Sequence, residues 1–209
     1  AVPEHTIENG VTTVTIQGVS GKLSVFGNHN LMNLQAAYYA CAELGVTAAD
    51  FIRVMKHFTG ASKRLELLAS NGDVHVYRDF AHAPSKVKAT VEAVRQQYPG
   101  KKLFAVLELH TFSSLNAAFM EQYRGVFDQV DTGVVFYSRH ALELKRMPDL
   151  PAEKVKEGFG KEGLLVINDK AGLDHWLHSQ NFSHSNILLM SSGNYDGIDI
   201  LSFAKEITQ

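Results

Sequence analysis

The chain has 209 residues, enough for one large domain or for one domain with a piece of another. Apolar residues make up 45% and charged residues 20%, with a formal net charge of −2, so bulk electrostatics recruit neither nucleic acid nor an anionic membrane. No apolar run approaches the roughly 20 residues that span a bilayer. The first ten residues lack the basic and apolar regions of a signal peptide, and the single Cys41 allows no internal disulfide and fits a reducing cytoplasm.

In chain order, the first 26 residues read as two strands. Val11–Gln17 alternates Thr with apolar residues, and Lys22–Phe26 follows a turn spanning Gly18 to Gly21. Asn28 is a cap for a helix from about Leu31 to Glu43, ended by Gly45. Thr47 caps a second helix through Phe58, stopped by Gly60. Asn71-Gly72 is a hairpin signal between two strands. Apolar strand runs then recur at Val74–Phe80, Leu103–Leu109, Val134–Tyr137, Leu164–Ile167 and Ile187–Met190, with helical patterns in most of the gaps. Val87, Val91, Val94 and Tyr98 lie on one helix face, with Pro84 near its first turn. Such alternation predicts an α/β fold with a mostly parallel sheet covered on both faces. A boundary falls near residue 61. The first 60 residues read as an edge of a larger domain, and residues 61–209 as a complete α/β domain.

Several segments carry candidate chemistry. Gly18-Val-Ser-Gly21-Lys22 is not a phosphate loop, because Leu23 stands where such a loop needs Ser or Thr. Asn30 and Asn33 share one face of a helix's first turn and suit either a flat heterocycle or plain capping. Lys63 and Arg64 follow a helix end, where a guanidinium grips phosphate bidentately or simply meets solvent. Arg78-Asp79-Phe80-Ala81-His82-Ala83-Pro84 spans a strand end and a helix start, where ligands of open α/β sheets gather. Glu108-Leu109-His110-Thr111-Phe112-Ser113-Ser114 and Ser191-Ser192-Gly193-Asn194-Tyr195-Asp196-Gly197 bring hydroxyls and amides to the same edge, as turn chemistry or as ligand contacts. The spacing of His175, His178 and His184 matches no zinc pattern.

Taken together, Gly27-x-His29-Asn30-x-x-Asn33, then Phe58-x-Gly60-x-x-x-Arg64-x-Glu66, then Asp79-Phe80-Ala81-His82-x-Pro84 with Lys86-x-x-Ala89-Thr90, resemble the Mur ligases of bacterial cell-wall assembly. The resemblance runs from about Gly27 to the end and is densest over residues 27–112. It implies that residues 1–60 are the tail of a central ATP-binding domain and residues 61–209 a Rossmann-like closing domain. It also implies ATP and Mg²⁺, with the phosphate loop and magnesium ligands elsewhere in the central domain. The implied substrates are UDP-N-acetylmuramate and a cell-wall peptide or amino acid, and neither nucleic acid nor membrane is a partner. By the same resemblance Asn30 and Asn33 contact adenine. Arg64 reaches the phosphates as the catalytic cation, and Asp79 binds the ribose. His82, His110 and Thr111 face the amino substrate.

The family usually reads D-D-[FY]-A-H-H-P, whereas Arg78 precedes Asp79 and Ala83 follows His82 here. Arg78 is accordingly read as a cation for extra substrate carboxylates, or else as a side chain pointing to solvent. These departures favour the branch that joins the tripeptide L-Ala-γ-D-Glu-meso-diaminopimelate, with the alanine-adding branch as its near relative. A non-catalytic nucleotide- or peptide-binding module is the alternative of another class.

Overall fold

The computed structural model describes all residues, Ala1–Gln209. The chain divides into two compact units. One comprises Ala1–Ser62 with Glu92–Pro99, the other Lys63–Val91 with Gly100–Gln209. No helix is long and apolar enough to cross a membrane.

The first unit holds an antiparallel sheet in the order β1 (Glu4–Glu8), β2 (Val11–Ile16), β3 (Val19–Leu23), followed by α1 (Asn28–Ala42) and α2 (Ala48–Met55). Three strands stand where two are expected. β1 is missed because Glu4-His5-Thr6-Ile7-Glu8 has no apolar run, and its side chains are exposed or only half-buried. β3 starts at Val19 because the turn is confined to Gln17 and Gly18, both at positive φ, and Gly21 lies inside the strand. Val14, Ile16 and Leu23 pack with Leu31, Leu34, Tyr38, Phe51 and Ile52, each such side chain contributing about 1.5–3 kcal/mol when fully buried. Cys41 is a half-buried free thiol at the border of this cluster.

Helix α1 begins three residues earlier than its pattern suggests, and Gly27 rather than Asn28 is its cap, with no side-chain cap bond. Gly27 has φ 88°, and a Cβ there would lie 2.6 Å from the Ala93 Cβ, so only glycine fits. Helix α2 is capped by Thr47, whose hydroxyl accepts from the Asp50 N–H at 3.1 Å. In the same unit the segment Glu92–Pro99 fastens the sheet: Thr12 Oγ donates to Gln97 Oε1 at 2.8 Å, and the Gln97 amide donates to the Gly10 carbonyl at 2.6 Å.

The second unit is a six-stranded sheet in the order β4-β5-β9-β6-β7-β8, with β4 (Glu66–Ser70), β5 (His75–Asp79), β6 (Lys102–Glu108), β7 (Thr132–Phe136), β8 (Leu165–Ile167) and β9 (Ser185–Met190). Only the β4–β5 pair is antiparallel. The helices are α3 (Pro84–Gln97, its last residues in the first unit), α4 (Arg139–Leu144), α5 (Ala152–Phe159), α6 (Lys170–Ser179) and α7 (Ile200–Glu206). Val76, Phe104, Val106, Val134, Ile187 and Leu189 face Leu173 and Leu177 of α6 and Phe203 of α7. The alternate residues Tyr77, Ala105, Leu107, Leu188 and Met190 are buried as well, so both faces are covered, as the all-apolar runs predict. All the parallel strands therefore deliver their carboxyl ends to one edge.

Candidate active-site edge

At the end of β5, the Asp79 carboxylate is only 8% exposed. One oxygen accepts from the Leu65 N–H at 2.6 Å. The other accepts from the Ala81 N–H at 2.7 Å and faces the Thr90 hydroxyl at 3.4 Å. Leu65 and Lys63 both have positive φ, 47° and 57°, so Asp79 holds a left-handed segment in place. The Phe80 N–H also donates to the Lys63 carbonyl at 2.8 Å. Arg64 sits inside this clamped segment with its side chain exposed.

Arg78 is neither an isolated cation nor free in solvent. Its Nε and Nη2 both donate to Glu66 Oε2, at 3.2 and 2.8 Å, and the same oxygen accepts from the Lys63 N–H at 2.7 Å. Glu66 and Arg78 are direct cross-strand partners. The neighbouring carboxylate offsets much of the Arg78 charge. Arg78 nonetheless lines a cavity of about 220 Å³ together with Lys63, Ser191, Asn194, Ile198 and Leu201.

His82 follows on the loop. Its Nδ1 contacts the Phe80 carbonyl at 2.9 Å, and its own carbonyl accepts from the Tyr123 hydroxyl at 2.6 Å. Burial raises the Tyr123 phenol above its ordinary range, so it remains a donor to that loop.

At the end of β6 the Glu108 carboxylate is 2% exposed. Its Oε2 accepts from the Ser191 hydroxyl and from the Tyr195 N–H, the latter at 2.9 Å. Its Oε1 lies 3.7 Å from Nδ1 of His110. Gly193 closes over both, since a Cβ there would lie 2.7 Å from His110 Cγ and 2.8 Å from Glu108 Oε2. Tyr195, Asp196 and Gly197 all take positive φ, and Ser138 donates to Asp196 at 3.1 Å. Burial first, then the Glu108 and Asp79 carboxylates, hold the Tyr195 phenol well above its ordinary range, and it donates to the Val106 carbonyl at 3.1 Å. Thr111 is absorbed in a hydroxyl turn, with contacts at 3.1 Å to Ser113 and 3.0 Å to Ser114.

The second unit thus brings Arg78, Asp79, His82, His110 and Thr111 to its carboxyl edge, with Arg64 on the segment clamped to β5. Asn30 and Asn33 belong to the first unit. Asn30 donates to the Phe26 carbonyl at 3.0 Å, a bond back along the chain that caps nothing at the helix start, and Asn33 is exposed. Sequence reasoning named Glu108 only as the start of a hydroxyl-rich segment. A lone charge closing the strand Leu103-Phe-Ala-Val-Leu-Glu108 was the available signal. The Asp199-to-Leu201 wall of the cavity carried no such signal.

Fold and edge together define a Rossmann-like α/β domain with its ligand-type loops beyond the carboxyl ends of the strands. Residues 63–193, more than half of the chain, match the family model for the Mur ligase, glutamate ligase domain, and the chain belongs to the Mur ligase family. A UDP-N-acetylmuramate–L-alanine ligase of Paenarthrobacter aurescens is 35% identical over 128 residues, which cover 60% of this chain and 28% of that protein. Two solved structures share the fold: a UDP-N-acetylmuramate–alanine ligase of Thermotoga maritima (TM-score 0.69, 15% identity, 98% of this chain and 44% of that one) and a murein peptide ligase of Psychrobacter arcticus (0.59, 18%, 95% and 43%). The chain spans less than half the length of these relatives.

Proposed function

We propose that this chain is part of a cytoplasmic, ATP-dependent amide-forming ligase that joins UDP-N-acetylmuramate to L-Ala-γ-D-Glu-meso-diaminopimelate in peptidoglycan recycling, as a murein peptide ligase does. Residues 1–60 are assigned to the central ATP-binding domain and residues 61–209 to the closing domain. The observation that carries the reading is the carboxyl edge of the family-matched segment. There Asp79 and Glu108 are buried carboxylates that hold backbone N–H groups, and a cavity with two cationic residues lies alongside.

In this reading the muramoyl carboxylate attacks the γ-phosphate of ATP to give an acyl phosphate. The amine then attacks the acyl carbon and phosphate leaves. Asn30 and Asn33 are adenine contacts, Asp79 a ribose contact and Arg64 a phosphate contact, while His82, His110 and Thr111 serve the amino substrate. Such catalysis is positioning plus charge stabilisation. No three His, Cys, Asp or Glu residues of this chain gather into a metal-holding group; in this reading Mg²⁺ would be held by central-domain residues other than these and would neutralise charge on the transferring phosphate.

The tripeptide is favoured by chemistry at the cavity. Lys63 and Arg78 line it together with Ile198, Ile200 and Leu201. Asp199 lines it too and Glu66 offsets Arg78, so the mixed cationic, acidic and aliphatic lining suits the diaminopimelate arm, which carries an ammonium, a carboxylate and methylenes, better than the single methyl of alanine. Ala83 stands where the family motif has a second His, so the loop between Asp79 and Pro84 carries one imidazole, that of His82. The L-alanine reading is the second one, supported by the name of the Paenarthrobacter relative. The deciding measurement is kcat/KM for tripeptide and alanine in the enzyme that contains this chain. Preference for alanine assigns the protein to the second reading, and no amide product from either sinks both. The 209-residue chain alone is expected to release no phosphate from ATP, because it contains no phosphate-loop pattern. A phosphate-release assay checks this.

A further inference from the structure

Glu108 is a buried charge whose two oxygens do different things. Oε2 is committed to the Ser191–Tyr195 loop. The Ser191 hydroxyl is the donor in that contact, since its oxygen already accepts from the Gly193 N–H at 2.7 Å. Oε1 faces His110 Nδ1 at 3.7 Å, within ion-pair reach though beyond a short hydrogen bond. The His110 ring is thus flanked by Glu108 and by the Gly193 backbone, while its side chain keeps 36% exposure. The other acidic side chain of the loop, Asp196, is engaged by Ser138. A carboxylate beside Nδ1 favours the ring form with the proton on that nitrogen, which leaves Nε2 bare.

Resting on the ligase reading above, we propose that His110 is the base for the incoming amino substrate and that Glu108 is the positioning residue that keeps its Nε2 unprotonated. The substrate ammonium gives one proton to Nε2 and becomes a neutral amine. Its lone pair forms the C–N bond as the acyl C–O bond breaks and the electron pair leaves with phosphate. The second proton lost from nitrogen departs on that phosphate, so the products are amide, hydrogen phosphate and protonated His110. The proton on His110 then returns to solvent. The exposure of His110 beside an otherwise buried carboxylate is what this role requires, whereas a purely structural carboxylate needs only its loop contacts.

The test starts with the chain itself. Long-range ¹H–¹⁵N spectra at a pH where the imidazoles are neutral read which ring nitrogen of His110 holds the proton. The wild type is expected in the Nδ1–H form. In Glu108→Gln the amide oxygen must stay on the two loop donors, which turns the NH₂ toward His110, so Nδ1 becomes an acceptor and the ring switches to Nε2–H. A wild-type ring already in the Nε2–H form, or no switch in Glu108→Gln, overturns the positioning role. In the enzyme containing the chain, His110→Gln is expected to lose about a hundredfold in kcat/KM for the amino substrate at neutral pH. That loss should shrink as rising pH deprotonates the amine unaided, whereas a pH-independent loss overturns the base role. Wild-type hydroxamate formation from UDP-N-acetylmuramate, ATP and hydroxylamine checks the ligase reading separately. Its absence removes that reading and the base role with it, while the spectra still report on the Glu108–His110 pair.

Discussion

The two ends of the six-stranded sheet both carry a carboxylate near a histidine, yet they are built differently. At the amino end, Asp73 is an exposed turn residue that accepts from the His184 N–H at 2.7 Å and meets its Nδ1 at 3.2 Å. Lys101 donates to the Gly72 and Asp73 carbonyls at 2.7 and 2.6 Å and contacts His75 at 3.2 Å. These contacts staple one turn to another over open solvent. At the carboxyl end, Asp79 and Glu108 are buried, and each fixes a segment with left-handed residues. Burying a charge costs several kcal/mol unless its lone pairs are satisfied, so it persists only where it orders something. The amino end therefore holds the fold at its turns, and the carboxyl end holds loops in shapes the backbone alone disfavours.

The same substitution at the two ends should expose this contrast. Asp79→Ala strands the Leu65 and Ala81 N–H groups in a buried setting and is expected to lower the stability of the chain by about 2–4 kcal/mol. Asp73→Ala, fully exposed, should barely move the urea midpoint. Equal losses at both ends would collapse the distinction. In the enzyme, Asp79→Ala should also raise KM for ATP.

Arg64 tests whether the clamped segment serves chemistry. Arg64→Ala is expected to leave stability within about 0.5 kcal/mol, since the side chain is exposed. It should lower kcat by about a hundredfold, because a phosphate contact matters most as charge moves. Unchanged steady-state kinetics would remove Arg64 from the site.

Glu108 was named only with its hydroxyl-rich loop, but the sheet was legible, because four of its five parallel strands are mainly apolar and the fifth, β5, carries Val76 and Tyr77 among polar residues. The pairing of Arg78 was not. A two-residue Asn71-Gly72 turn sets Ser70 opposite Asp73, which puts Leu65 rather than Glu66 across from Arg78. The actual turn is longer: Asn71 Oδ1 caps the Asp73 and Val74 N–H groups, and Ser70 pairs with His75. A register shift between Leu67 and Ala69 then brings Glu66 opposite Arg78. Turn length and bulges depend on side-chain-to-backbone bonds that a hydrophobic pattern does not encode. The transfer of Glu92–Pro99 to the first unit was hidden for the same reason, since the contacts of Thr12 with Gln97 and of Gln97 with Gly10 are long-range polar ones.

Because Glu66 offsets its charge, Arg78 should select substrates only modestly. Arg78→Ala is expected to reduce the tripeptide-over-alanine ratio in kcat/KM by about twofold to tenfold. Glu66→Gln, which frees the guanidinium, should move that ratio the other way. If neither variant changes the ratio, the cavity lined by Arg78 does not bind the distal part of the amino substrate.

The smallest effect expected belongs to the amino end and to pH. Burial first, and the Lys101 ammonium second, hold His75 below its ordinary 6.5, with Asp73 opposing. Its folded state therefore favours the neutral ring, as the contact of Lys101 Nζ with His75 Nδ1 requires, since an ammonium has no acceptor. A depressed folded value gives a stability contribution that is fully present above 6.5 and is lost as pH falls through the lower folded value. Asp73, held below its ordinary 3.8 by the His184 N–H and ring, contributes above 3.8 and is lost only further into acid. The two groups thus act in separate windows. Thermal melts of the chain on acidification should show a shallow loss beginning below 6.5, which His75→Gln flattens. Glu108→Gln should leave the first window unchanged, because His75 and Glu108 stand at opposite ends of the sheet. If Glu108→Gln removed the shallow loss instead, the acid sensitivity would belong to the carboxyl edge, and the division of labour between the two ends would fail.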